Sequence, residues 1–327
     1  MTLRFIDLFC GIGGFRVAAE SFSLKCVFSS DIDVDACRTY EANFGDYPSG
    51  DITKTNAIDI PDHDILFAGF PCQPFSIIGQ MNGMSDTRGT LFFDIVRILK
   101  EKRPRWFVLE NVKQLVGHDH GHTFTRILEI LHGLEYKHDW QIFNALNFGL
   151  PQKRERVFIV GSNVASLFSL FEWPQDNVIM KPLSEILEDN VPKNYYASPY
   201  MQQKRLRSHQ SKYFPSIWHE NKAGHISSYP FSCALRANAS YNYLLVNGIR
   251  RLTPREQLRL QGFPEWFKIL GNDAQIRKQT GNSLPVPIAQ AIVRKIVIAE
   301  EGFKIHETKD KAKTKSRAAV SLEPISV

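Results

Sequence analysis

Asp7-Leu8-Phe9-Cys10-Gly11-Ile12-Gly13-Gly14-Phe15 decides the fold. The run from Arg4 to Phe9 is apolar and strand-like, and the glycines follow at once. Phe15, Val17, Ala18, Ala19 and Phe22 then recur at helical spacing. Strand, glycine turn and helix make the opening βα unit of a doubly wound α/β sheet. The glycines let a ligand approach the backbone closely, or simply make a tight connection. Their spacing is G-x-G-G rather than G-x-G-x-x-G, which disfavours a nicotinamide dinucleotide.

Reading outward, Lys25–Ser30 is a second strand closed by Asp31. An acid placed there, roughly 20 residues after the glycines, binds a ribose diol in such folds. Asp31 or Asp33 serves equally as a helix N-cap. A third short strand is expected before Gly50-Asp51-Ile52-Thr53, which would bring Asp51 to the same rim. The apolar run Ile65-Leu66-Phe67-Ala68 reads as the fourth strand, leading into Gly69-Phe70-Pro71-Cys72-Gln73-Pro74. Two prolines forbid a helix or ladder there, so Cys72 sits on a stiff turn at a strand's carboxyl end. It is either a nucleophile or a small buried apolar residue. Residues 77–88 read as a lid loop. Trp106-Phe107-Val108-Leu109 is a buried fifth strand ending in Glu110, whose partial desolvation should raise its pKa. Trp140–Leu146 and Arg156–Gly161 are the last strands. Between them Lys153, Arg154 and Arg156 suit a phosphate or a polar base edge, or form a solvated turn.

The chain has 327 residues, 43% hydrophobic and 23% charged, with a net charge of +6. That is enough for two domains and allows a polyanionic partner. Its five cysteines contain no C-x-x-C pair, which disfavours a disulfide framework or a zinc site. The opening residues lack signal-peptide character, and no apolar run is long enough to span a bilayer. The expected compartment is a reducing cytoplasm.

At Ser162 the periodicity fades and prolines recur, to about Asn247. Residues 1–161 are read as the first part of the catalytic domain, 162–247 as a smaller β and loop domain, and 248–302 as a return to the first. Residues 303–327 are read as a disordered basic tail. The middle region mixes Lys204, Arg205, Arg207 and Lys212 with aromatics such as Tyr195, Tyr200 and Phe214. Nucleic acid suits that mixture, and so does a basic surface over an aromatic core. Thr253 and Glu256 form a capping box with Pro254 at the first helical position.

Six stretches then add up in order. They are Asp7 to Phe15, Gly69 to Gln73, Glu110-Asn111-Val112, Gln152-Lys153-Arg154-Glu155-Arg156, Arg251 to Glu256, and Gly281-Asn282-Ser283. The chain resembles the DNA (cytosine-5) methyltransferases of the compact bacterial restriction–modification type, over about residues 3–160 and 250–297. The resemblance implies an S-adenosylmethionine-dependent methyltransferase sheet and a target recognition domain at 162–247. It implies that Cys72 attacks C6 of a flipped cytosine, that Glu110 holds N3, and that Arg156 holds O2 with Arg154 close by. S-adenosyl-L-methionine would be held by Phe9, Gly11, Gly13, Gly14, Asp31, Asp51, Ile52, Pro71, Leu91, Asn282 and Ser283. Double-stranded DNA would meet Lys204, Arg205, Arg207 and Lys212 through phosphates, and Arg236, Asn238 and Ser240 through base edges. Ile78 would wedge into the gap, and Arg88 would also meet the DNA. The resemblance further implies a monomer, paired in function with a restriction endonuclease without a stable complex. Where the family often carries Thr-Leu or Thr-Val, this chain has Ala234-Leu235. A transfer-RNA cytosine-5 methylase and a catalytically inactive nucleic-acid-binding protein stand as alternatives.

Overall fold

The computed structural model describes residues 2–71, 91–221 and 223–320, with backbone alone for residue 307 and residues 309–320. Cys72, Ile78 and Arg88 lie outside the described residues. The first region runs β1 (Arg4–Leu8), α1 (Gly14–Glu20), β2 (Lys25–Ser30), α2 (Val34–Phe44), β3 (Ile65–Gly69), α3 (Leu91–Lys102) and β4 (Trp106–Val112). It continues with α4 (Gln114–Gly117), α5 (His122–Gly133), β5 (Lys137–Asn144), β6 (Gln152–Lys153), β7 (Glu155–Ser162) and α6 (Ala165–Phe168). The second region holds α7 (Pro199–Ser208), β8 (Ile217–Glu220), β9 (Ile226–Tyr229), β10 (Ser232–Cys233) and β11 (Leu244–Val246). Helices α8 (Pro254–Gln261), α9 (Asp273–Asn282) and α10 (Val286–Val320) follow.

The main sheet has the order β2-β1-β3-β4-β7-β5. The first four strands are parallel, and β7 runs antiparallel to both neighbours. Strand residues alternate between two buried faces. Phe5, Phe67, Val108 and Phe158 pack with α1 and the start of α10. Ile6, Leu66, Phe107 and Ile159 pack with α3 and α5. Helices on both faces of a mostly parallel sheet confirm the expected doubly wound class. No described helix is long and apolar enough to cross a membrane.

Three expectations change. No strand forms before Asp51 among the described residues; instead Asp51 caps a short 3-10 turn, Ile52–Lys54, by accepting from the Thr53 N–H and hydroxyl. Pro48, Gly50 and the capping Asn56 favour turns over a ladder there, so the strands counted fourth and fifth are β3 and β4. The second region is also smaller than the break at Ser162 implies. Phe168 and Phe171 stack near Trp106 at 6.4 and 5.9 Å, so the chain past β7 still covers the main core. The separate core begins at Leu183 and Ile186, and includes Ile217, Leu235 and Leu244 under the sheet β11-β8-β9. That region carries α7 as well as strands and loops. Finally, the basic tail is helical as far as Val320, continuing α10. Its Lys, Glu and Ala are strong helix formers, which a charge count overlooks.

Candidate active site

Parallel strands leave a crevice at their carboxyl ends, and the chemistry-bearing residues cluster there. Gly69 of β3 pairs with Glu110 of β4, while β7 brings Arg156 opposite Val112. A cavity of about 650 Å³ runs along this rim. Phe9, Gly11, Asp31, Asp51, Ile52, Pro71, Leu91 and Asn282 line one part of it. Glu110, Arg154, Arg156 and Asn238 line another.

At the first end, Asp31 closes β2. Its Oδ2 accepts the Gly11 N–H at 2.7 Å and its Oδ1 the Asp33 N–H at 2.8 Å. Burial raises the Asp31 carboxyl, and those N–H groups partly offset this. Helix α2 is capped by Asp33, so Asp31 is left to face the crevice. Ile32 next to it is 73% exposed and offers an apolar surface to the same cavity. Lys278 on α9 pairs with Asp33 at 2.8 Å. Carboxylates beside bare apolar surface fit an adenosine, which presents hydroxyls and a flat ring.

At the other end, Arg156 Nε lies 2.9 Å from Glu110 Oε1, with both side chains largely buried. Burial raises the Glu110 carboxyl, opposed by Arg156 and then Arg154. Gly69 lies directly beside Glu110, and a Cβ there would make ordinary contact with Oε2 at 3.4 Å. Asn111, given no role by sequence reasoning, donates from Nδ2 to the Phe70 carbonyl at 2.9 Å. It thereby anchors the chain two residues before Cys72. The described cysteines are all poor nucleophiles. Burial pushes Cys10 well up, Cys26 to about 12, Cys37 to about 11, and raises Cys233. None of these four lines the cavity.

Several expected site residues have other roles. Arg154 is only 1% exposed and donates to the Leu235, Gly281 and Ser283 carbonyls. Its Nε has no partner among the described residues, while its two terminal nitrogens fasten the cavity wall to three backbone carbonyls. Gly13, Gly14 and Ser283 do not line the cavity. A Cβ on Gly13 would stand 2.4 Å from the Phe44 ring, and one on Gly14 would stand 3.0 Å from Leu284. These are packing positions. Arg205 is 2% exposed, ion-paired with Glu220 at 2.7 Å and bonded to the Asn242 carbonyl, so it is not a phosphate contact. Lys204, Arg207 and Lys212 are exposed. Arg236 and Ser240 are exposed outside the cavity, whereas Asn238 enters it.

Gln152 also went unassigned by sequence reasoning. Its Oε1 accepts the Leu235 N–H at 2.9 Å and its Nε2 donates to the Leu260 carbonyl at 2.8 Å. Together with the pairing of β6 and β10, this fastens the second region to the site.

Residues 3–298 match the family model described as C-5 cytosine-specific DNA methylase. The chain is 53% identical to the Type II methyltransferase M.NgoBI of Neisseria gonorrhoeae and to M.HaeII of Haemophilus aegyptius. Each match covers 89% of this chain and 92% of the relative. Among solved structures, the Dnmt2 methyltransferase of S. pombe aligns with a TM-score of 0.67 at 19% identity. That alignment covers 90% of this chain and 98% of the other. A Spodoptera frugiperda DNMT2 mutant aligns at 0.69 and 18% identity, covering 90% and 100%. These two likenesses bear on the fold alone.

Proposed function

The chain belongs to the C-5 cytosine-specific DNA methylases, and on that footing we propose that it modifies one cytosine within a specific duplex sequence through a covalent Cys72 adduct. It is an S-adenosylmethionine-dependent DNA cytosine methyltransferase. The observation that carries the finer reading is the Glu110–Arg156 pair, buried in the same cavity as Asp31 and Asn282.

C5 of cytosine is a weak nucleophile. Addition of the Cys72 thiolate to C6 moves the C5–C6 electron pair onto C5. Glu110 holds N3 and supplies a proton as charge develops there, for which a raised carboxyl pKa is suited. Arg156 keeps that carboxylate in place and offers its remaining donors to O2. When bound, S-adenosylmethionine supplies the methyl group that C5 takes, and Phe9, Asp31, Asp51, Pro71, Leu91 and Asn282 would hold it. The C5 proton passes to water, the thiolate departs and N3 returns its proton to Glu110, which restores the ring; the cofactor would leave as S-adenosylhomocysteine. These atoms are unreachable inside a duplex, so the base must be extruded into the cavity. Asn238 then borders the extruded base, while Arg236 and Ser240 outside the cavity are free to read neighbouring base edges. Lys204, Arg207 and Lys212 hold phosphates. The working form is a monomer in the cytoplasm, and its biological partner is a restriction endonuclease cutting the same site.

Expression in a host lacking cytosine methylation, followed by bisulfite sequencing, tests the reading. One recurring methylated sequence is expected, together with loss of the signal in Cys72→Ser. A duplex carrying 5-fluorocytosine at that site should be trapped covalently on Cys72. Methylated transfer RNA with unmodified DNA, or a trapped adduct on Cys10, Cys26, Cys37 or Cys233, would overturn it.

A further inference from the structure

At the seam between the two regions, Arg251 and Arg277 converge on one exposed ring. The Arg251 guanidinium is 3.9 Å and that of Arg277 4.6 Å from the centroid of Tyr241, which is 42% exposed. Arg236 sits over Tyr243 at 5.0 Å, and all five side chains line one small depression. Arg251 comes from the strand-to-helix link before α8, Arg277 from α9, and Arg236 and Tyr241 from the recognition segment. None of these residues except Arg236 entered the sequence reading as a contact.

The charges there are unbalanced. The one carboxylate in the depression, Asp273, accepts the Tyr241 hydroxyl at 2.8 Å and the Tyr195 hydroxyl at 3.5 Å. None of the three arginines forms an ion pair among the described residues. Arg251 donates to the Asn194 carbonyl, the Arg277 guanidinium makes no hydrogen bond among the described residues, and the Nε of each is buried without a partner. Two guanidiniums on one ring repel each other, and the ring face offsets only part of that cost. An anion between them would remove the repulsion. A phosphodiester fits the fork geometry of arginine, with unused N–H donors on both sides.

Place narrows the choice of anion. The depression and the catalytic cavity lie on either side of the 236–238 turn. Arg236 lines one and Asn238 the other, and on α9 Arg277 lines one and Lys278 the other. The turn borders both, which places the depression next to the backbone of a nucleotide whose base occupies the cavity.

We propose that Arg251 and Arg277, steadied by Tyr241, form a binding site for a DNA phosphodiester next to the extruded nucleotide. The site rests on the reading that the chain binds duplex DNA. Part of it belongs to the catalytic region, so it holds the strand whatever sequence the recognition segment prefers.

The experiment measures duplex affinity against salt concentration for the full-length protein, using a duplex with its methylated site. Arg251→Gln and Arg277→Gln should each lower the slope of log K against log[salt] by about one unit, since one phosphate contact releases about one counterion. They should weaken matched and mismatched duplexes alike. Arg277→Lys keeps the charge and should keep most of the slope. A partly unfolded variant lowers the bound amplitude without changing the slope, and S-adenosylhomocysteine binding reports its folded fraction. Slopes equal to wild type in both glutamine variants overturn the site. Absence of salt-dependent duplex binding in the wild type would overturn the DNA reading itself.

Discussion

Arg154 donates to the Gly281 carbonyl at 2.9 Å, joining the strand that carries Arg156 to the turn that carries Asn282. Its other two partners are the Leu235 carbonyl in the recognition segment and the Ser283 carbonyl beyond Asn282. One guanidinium thus ties three segments far apart in sequence at a single buried point. Arg154→Met leaves all three carbonyls without their donor, and each one left unpaired costs about 1–3 kcal/mol. Chemical denaturation should show that loss, and calorimetry should show weakened S-adenosylhomocysteine binding. Unchanged cofactor affinity in a destabilised variant would mean that Arg154 holds the fold and not the pocket.

Gly281 is the other half of this junction. A Cβ there would stand 2.3 Å from the Ala237 backbone nitrogen. Backbone cannot yield as a flexible side chain can, so Gly281→Ala must push the 236–238 turn away from α9. DNA discrimination should fall with it, because Arg236 and Asn238 ride on that turn. The measurement is the ratio of methylation rates on matched and singly mismatched duplexes. A ratio equal to wild type with ordinary activity would show that the turn tolerates displacement.

The local parts of the site were legible because each is encoded within a dozen residues. A strand, a glycine turn and an acid at the next strand's end point to Gly11 and Asp31, whereas Phe9 was implied only by the family resemblance. Glu110 follows four apolar residues that can only be a buried strand. What depends on distant packing was not legible. Lys204, Arg205 and Arg207 look alike in sequence, yet Glu220 on β8 draws only Arg205 inside. The partners of Arg154, Gln152 and Asn111 are backbone groups, which carry no signature in the sequence. The strand expected before Asp51 gives way to turns because Pro48, Gly50 and the capping Asn56 favour them.

Asp7 lies in β1 behind the glycine turn and is 1% exposed. Burial pushes its carboxyl well above the usual range, against the pull of Arg16. The native state therefore holds this proton more tightly than the unfolded chain. The contribution to stability is full below the unfolded value near pH 4 and is lost as pH rises through the native one. Asp7→Asn has no proton to lose. Denaturation midpoints should therefore shift in favour of the variant as pH rises above about 4. A wild-type-minus-variant difference that stays flat from pH 4 to 8 would place the ionised carboxylate in a compensated environment.

Glu110 carries the last prediction. Its carboxyl is raised by burial while Arg156 and Arg154 oppose the shift, so its protonated form persists to higher pH than an exposed glutamate's. Glu110→Gln keeps the shape and a donor toward N3 but cannot exchange a proton. The single-turnover methylation rate should fall by about two to four orders of magnitude, the usual scale for a positioned acid–base group. Cofactor affinity should change little, since Glu110 stands at the Arg156 side of the cavity. The wild-type rate should also decline on the alkaline side as Glu110 loses its proton, opposing the gain from Cys72 ionisation. In the glutamine variant that decline should vanish and leave only the rise with thiolate formation. If the alkaline decline survives the substitution, the group that titrates is another one, and Glu110 only orients Arg156.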